Sequence, residues 1–288
     1  MAKSLSLTLC IASIVFITLS SQAMAFDVYQ FINWRFYKND KGEVIRTKDT
    51  EEFQQYLATL KIKKMNVIYP QKILTNNKAD PKKIKIIAED SRKNPNIPIC
   101  FDIEIGEASK PETNLPVILD ALKLYKKYGG VAPIGVYGVL PQKSPNKILN
   151  KSGKIQISSL NNQYEEIAQN VDFLAPTLYF YDLKDINIWN DKAKFNMSEA
   201  KRYSKKYNIK IIPFVSLSTW ENVNGRFKIT PLTEHEMSIV IQNLKLLGAN
   251  GVVIWESGAA VQDDNRKSAI FDINHSSYKA IVNIANRQ

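Results

Sequence analysis

Asn96-Ile97-Pro98-Ile99-Cys100-Phe101-Asp102-Ile103-Glu104 is an apolar, β-branched run that closes on two carboxylates two residues apart. Bounded by Pro95 and a polar stretch, it reads as a buried strand of a parallel sheet. Side chains on a strand alternate faces, so Asp102 and Glu104 point to the same side. Two carboxylates on one face at the C-terminal end of a strand form an acid–base pair. Their repulsion pushes one carboxyl pKa upward and keeps that group protonated near neutral pH.

Comparable runs flank this one. Asp27 to Trp34, Met65 to Pro70, Pro133 to Tyr137, Phe173 to Tyr179, Ile209 to Leu217 and Gly251 to Trp255 are the other expected strands. Helical patterns separate them. Thr50 opens a helix with early acids, and Pro81 to Arg92 places Ile84, Ile87 and Ala88 on one face. Further helices are expected over Pro116 to Tyr128, Ser158 to Gln169, Ser198 to Tyr207, Thr233 to Leu247 and Ser276 to Asn286. Regular strand–helix alternation predicts an α/β fold, and this many units predicts a TIM-like (β/α) barrel of seven strands. A doubly wound dinucleotide fold is disfavoured, because no G-x-G-x-x-G or P-loop follows any strand.

In a barrel, chemistry collects at the C-terminal strand ends. Those ends carry Asp102, Glu104, Tyr137, Tyr179, the Ser216 to Trp220 segment and Trp255. Acids, phenols and indoles converging on one mouth suit a sugar, since aromatic faces stack on pyranose rings and phenols donate to ring substituents. Other chemistries lack their residues. His235-Glu236 has Ile239 where a zinc helix needs its second histidine, and no G-x-S-x-G elbow occurs. No metal and no organic cofactor is expected.

Lys3, the apolar stretch Leu5 to Leu19 and Ala23-Met24-Ala25 match a secretory signal peptide cut before Phe26. The expected organisation is therefore a signal peptide, residues 1–25, and one catalytic domain, residues 26–288. The product would be secreted, extracellular or periplasmic, with no stable membrane anchor after cleavage. Cys10 lies in the removed segment, so Cys100 has no intramolecular partner and stability must come from packing. The full chain carries 39 Lys and Arg against 28 Asp and Glu, a net +11, and Lys3 is the only charge in the signal segment. A positive field accelerates the approach of a polyanion. For a secreted protein that means acidic glycans or anionic cell surfaces rather than nucleic acid.

These motifs resemble the hyaluronidase family of glycoside hydrolases, the hydrolytic venom and sperm type. Phe101-Asp102-Ile103-Glu104 looks like its apolar D-x-E strand, and Gly135-Val136-Tyr137-Gly138-Val139-Leu140-Pro141 is similar to its G-x-Y-x-x-P segment. Leu174 to Tyr179 resembles its L-x-P-x-x-Y strand, and Leu247-Gly248-Ala249-Asn250-Gly251-Val252-Val253-Ile254-Trp255 its C-terminal signature. The chain departs from the pattern where Ile105-Gly106-Glu107 stands in place of W-R-P, and it lacks the disulfide cysteines.

The resemblance implies a distorted seven-stranded barrel and a retaining, substrate-assisted mechanism. Glu104 would be the general acid and then the base, its pKa raised by Asp102. Asp102 would orient the N-acetyl group of the sugar, whose carbonyl is the nucleophile. Tyr179 and Tyr137 would hydrogen-bond the acetamido oxygen, and Trp255 would wall the pocket around the N-acetyl methyl; Trp220, from its strand end, is a further substrate-binding candidate. The implied partner is a polysaccharide of the anionic glycosaminoglycan class. The alternatives are a catalytically inactive glycan-binding barrel and a glycosidase acting on another N-acetylated glycan such as chitin.

Overall fold

The computed structural model describes residues 26–144, 149–180, 185–262 and 267–287. The expected signal peptide, residues 1–25, lies outside the described residues. The strands that build the site are β1 (Asp27–Ile32), β2 (Lys63–Lys64), β3 (Asn66–Ile68), β4 (Ile99–Phe101), β5 (Ile134–Tyr137), β6 (Phe173–Ala175), β7 (Lys210–Ile211), β8 (Phe214–Ser216), β9 (Ser218–Val223), β10 (Arg226–Pro231), β11 (Gly251–Glu256) and β12 (Ala260–Val261). The helices are α1 (Thr50–Thr59), α2 (Pro81–Lys93), α3 (Leu115–Lys127), α4 (Lys151–Gln163), α5 (Ile186–Tyr207), α6 (Glu234–Leu246) and α7 (Ser276–Asn286).

Two parallel sheets carry the fold. One is four-stranded, in the order β8-β11-β1-β2; the other is five-stranded, in the order β7-β6-β5-β4-β3. Two stretches change sheets along their length: the expected strand from Met65 is preceded by a segment outside it, and the expected strand Ile209 to Leu217 is broken in two. Lys63–Lys64 pairs with β1, and Asn66–Ile68, one residue later, pairs with β4. Lys210–Ile211 pairs with β6, and Phe214–Ser216 pairs with β11. Ile212-Pro213 makes the second break, since proline has no N–H to give a ladder. Hydrogen bonds cross that break: Ile212 N donates to Leu174 O at 2.9 Å and Phe214 N to Pro176 O at 2.8 Å.

Strand alternation sorts the core into two clusters. Tyr29, Phe31, Met65, Cys100, Phe173, Ala175, Ile212, Phe214 and Val253 face one another. Their neighbours Val28, Ile32, Phe101, Val136, Leu174, Val215, Val252 and Ile254 pack outward with the helical Phe53, Ile84, Leu122, Trp189, Met237 and Ile281. Burying each such side chain contributes roughly 1.5–3 kcal/mol. Gly135 makes the inner cluster possible at β5: a Cβ there would stand 2.4 Å from the Phe173 ring.

Caps explain several helix ends. Asp80 accepts from Lys82 N and Lys83 N ahead of Pro81, and Thr233 with Glu236 completes a capping box on α6. Asp49, one residue before Thr50, caps α1. Two helices start earlier than expected. α4 begins at Lys151 because Asn150 accepts from Gly153 N, after which a 3₁₀ turn spans Glu165–Gln169. α5 begins at Ile186, twelve residues before Ser198, capped by Asp185. Its asparagine-rich first half has low propensity, but Trp189, Ala193 and Met197 are fully buried on one face.

The hairpin β9–β10 is an addition to the expected elements. Val223 and Arg226 face each other across Asn224-Gly225, whose φ values of 50° and 78° fit a type I′ turn. β12 then pairs with β10, tying the hairpin to the chain beyond β11.

Candidate active site

The site is the inner cluster carried two residues further along each strand. Phe31 follows Tyr29, Asp102 follows Cys100, Tyr137 follows Gly135, Trp255 follows Val253, and Tyr179 continues the Phe173, Ala175, Thr177 alternation. These side chains line one cavity of about 620 Å³, together with Glu104, Trp220 and Phe227. All six residues expected to form the site are therefore brought together.

The carboxylates differ in environment. Asp102 is half-buried and Glu104 exposed. Burial, and then the Glu104 charge, pushes the Asp102 pKa up to about 7. The resemblance assigns the raised value to Glu104; the structure places it on Asp102, which sits deeper in the sheet mouth. Asp102 Oδ1 is buried and has no hydrogen-bond partner. Its backbone still belongs to the sheet, with Asp102 N donating to Ile68 O at 3.0 Å.

Glu104 also lines a second cavity of about 440 Å³ with Asn114, Gln142 and Thr177, so it stands between two spaces that share Tyr137 and Lys143. After Glu104 the chain turns away through Gly106, whose φ is 64° and whose Cβ would lie 2.5 Å from Thr113 Oγ1. Glu107 is turned to solvent, where it pairs with Lys110 at 2.9 Å.

The aromatic side is continuous. Tyr179 stacks on Trp255 at 4.8 Å between centroids, Trp255 meets Trp220 at 4.8 Å, and Trp220 meets Phe227 at 4.8 Å. Tyr137 packs edge-on to Phe214 at 5.1 Å and shares hydrogen bonds with Tyr179 and Thr177. Burial raises its phenol pKa well above the ordinary value. Cys100 lies fully buried beneath Asp102, and burial likewise drives its thiol pKa up, which makes it inert.

Sequence reasoning missed Phe31, Tyr69, Lys143 and Phe227. Phe31 is one residue from the end of β1, whereas the expected strand ran on to Trp34, so its place at the strand end was not read. Phe227 needed the hairpin, which the Asn224-Gly225 pair between alternating residues advertises. His235 and His275 are both exposed. Among the described residues no cluster of three His, Cys, Asp or Glu side chains has metal-binding geometry.

No protein-family model matches the sequence, and no curated protein matches it. Solved structures do. Bee venom hyaluronidase superposes with a TM-score of 0.58 at 12% identity, covering 89% of this chain and 99% of that one. The same enzyme in complex with a hyaluronic acid tetramer gives 0.48 at 16% identity, over 89% and 87%. The spore cortex-lytic enzyme SleL of Bacillus megaterium gives 0.46 at 12% identity, over 87% and 76%. At such identities the first likeness shows the fold: this is an α/β chain folded as bee venom hyaluronidase is folded.

Proposed function

We propose that the chain is a secreted glycoside hydrolase, an endo-β-N-acetylhexosaminidase acting on hyaluronan-type glycans with retention and substrate assistance. The two parallel sheets are read as one distorted seven-stranded barrel, with Lys63 to Ile68 and Lys210 to Ser216 each counting as one bent strand. The observation that carries the reading is the pairing of Asp102 and Glu104 in a cavity walled by Tyr137, Tyr179, Trp220 and Trp255.

Each group suits a step. A sugar ring in the larger cavity stacks on the indoles. Its N-acetyl N–H donates to the unpartnered Asp102 Oδ1, which turns the acetamido carbonyl towards the anomeric carbon. Glu104, the carboxylate shared by both cavities, lies where a glycosidic oxygen passes from one sugar to the next. It protonates that oxygen as the carbonyl attacks, and the leaving sugar departs through the smaller cavity. Asp102 then faces the positive oxazoline-like ring, and Tyr137 with Tyr179 holds the acetamido oxygen. Glu104 finally takes a proton from water, which opens the ring. Most glycosidases use a carboxylate nucleophile; this scheme uses the substrate's own amide.

The test is a reducing-end assay on hyaluronan, chondroitin, heparosan and chitin oligomers, with the product anomer read by NMR. Release from hyaluronan with initial β-product supports the reading. Release from chitin alone would move the substrate to a neutral glycan. Binding without release from any of the four would make the chain a glycan-binding protein.

A further inference from the structure

Behind the aromatic wall lies a carboxyl that the proposed chemistry does not use. β11 ends in Trp255-Glu256, and successive residues face opposite sides of a strand. Trp255 looks into the cavity; Glu256 looks outward and is 0% exposed. Its Oε1 accepts from Leu217 N at 2.8 Å. The Ser218 hydroxyl and the Trp220 indole lie against the same carboxyl, and Tyr278 of α7 approaches it from outside. Oε2 makes no hydrogen bond of ordinary geometry. Burial pushes the pKa up to about 8. A buried, partly satisfied carboxyl is a costly occupant where an apolar residue would pack.

Its well-formed bond is to the Leu217 amide, and the neighbouring Ser218 backbone also lies against the carboxyl. Leu217 is all that separates β8 from β9. Around it, Ser216 Oγ donates to Ser218 O at 3.0 Å and accepts from Phe180 N at 3.1 Å. Three residues beyond Leu217 comes Trp220, whose ring lies 4.8 Å from that of Trp255 at 30°. The direction in which the chain leaves Leu217 therefore sets where Trp220 lands.

We propose that Glu256 is the positioning residue of the aromatic wall: by accepting from the Leu217 amide it fixes the β8–β9 turn so that Trp220 lies across Trp255, and this sets the affinity of the cavity for a sugar ring. The affinity part rests on the glycan reading above; the positioning part does not. Two indoles this close couple as excitons, so their arrangement is visible in far-ultraviolet circular dichroism without any substrate. Trp220→Phe assigns the couplet.

Glu256→Gln keeps an acceptor for Leu217 N and should preserve both the couplet and KM. Glu256→Leu, similar in size but without an acceptor, should lose most of the couplet. It should raise KM about tenfold, the worth of one aromatic contact, while kcat changes little. Glu256→Asp keeps the acid but shortens its reach, and should weaken the couplet even if the leucine variant fails to fold. A couplet unchanged in Glu256→Leu or Glu256→Asp, or lost in Glu256→Gln, overturns the proposal. Loss of the couplet in a chain that turns over no glycan leaves the positioning role standing and removes the glycan reading. An unchanged couplet in a chain that does turn over glycan has the opposite meaning.

Discussion

Asp102 and Glu104 share a face because they are two residues apart on an extended segment, and the cavity geometry follows from that spacing. With its pKa near 7, Asp102 holds a proton up to about that pH. The proposed scheme uses Asp102 as a carboxylate facing the positive intermediate, so kcat/KM should rise as pH rises through about 7, which a pH–rate profile would show. A profile that is flat or falls through pH 7 would contradict this. The same shift bears on stability. A carboxyl whose folded pKa is raised from 3.8 to about 7 takes up a proton on folding, so its contribution is favourable at low pH and is lost as pH rises between those values. Asparagine cannot ionise. Asp102→Asn should therefore melt higher than the native protein at pH 8, with the difference shrinking towards pH 4 in thermal scans, while losing activity because the charge facing the intermediate is gone. At this scale the sequence was informative: strand alternation alone brought Tyr137, Tyr179 and Trp255 to Glu104. It could not say which carboxyl is buried, because that depends on how far each strand runs before the chain turns at Gly106.

Elements were legible where one local rule dominates. Asp80-Pro81 and Thr233 with Glu236 announce helix starts, and α2, α6 and α7 fall within a residue or two of expectation. They were obscured where tertiary burial overrides propensity. The first half of α5 is polar and asparagine-rich, yet the Trp189 Nε1 donates to Leu178 O at 2.8 Å and the ring stacks on Phe180 at 4.9 Å. The β9–β10 hairpin was hidden between a strand and a helix although Asn224-Gly225 marks its turn. That turn needs glycine: Gly225 has φ 78°, and a Cβ added there would meet no atom within 4 Å, so any penalty is one of backbone alone. Gly225→Ala should cost about 1 kcal/mol in urea unfolding. It should also raise KM more than it lowers kcat, because the hairpin carries Trp220 and Phe227.

At the scale of the molecule, the sheets divide the core into an inner cluster that floors the site and an outer one that seats the helices. The α/β alternation was readable in the sequence; the division of the parallel strands between two sheets was not, because a change of pairing partner leaves no mark on hydrophobic pattern, and only Pro213 marks one of the breaks. The net charge, +11 for the full chain including Lys3, is carried over the whole surface. If the substrate is a polyanion, kcat/KM on hyaluronan should fall as salt rises from low to physiological ionic strength, while neutral chitin oligomers show no such dependence. Equal salt dependence for both would dissociate the basic surface from substrate capture. The proposed function rests on one carboxyl. Glu104→Gln keeps the side chain's shape and removes its transferable proton, so hyaluronan turnover should drop by at least about 10²–10⁴-fold while oligosaccharide affinity is held. Glu107→Gln, at a residue turned to solvent, should leave turnover intact. Reducing-end release by the native, Glu104→Gln and Glu107→Gln proteins, measured with binding in parallel, is the most direct test: full activity in Glu104→Gln, or loss of activity in Glu107→Gln alone, would contradict the account.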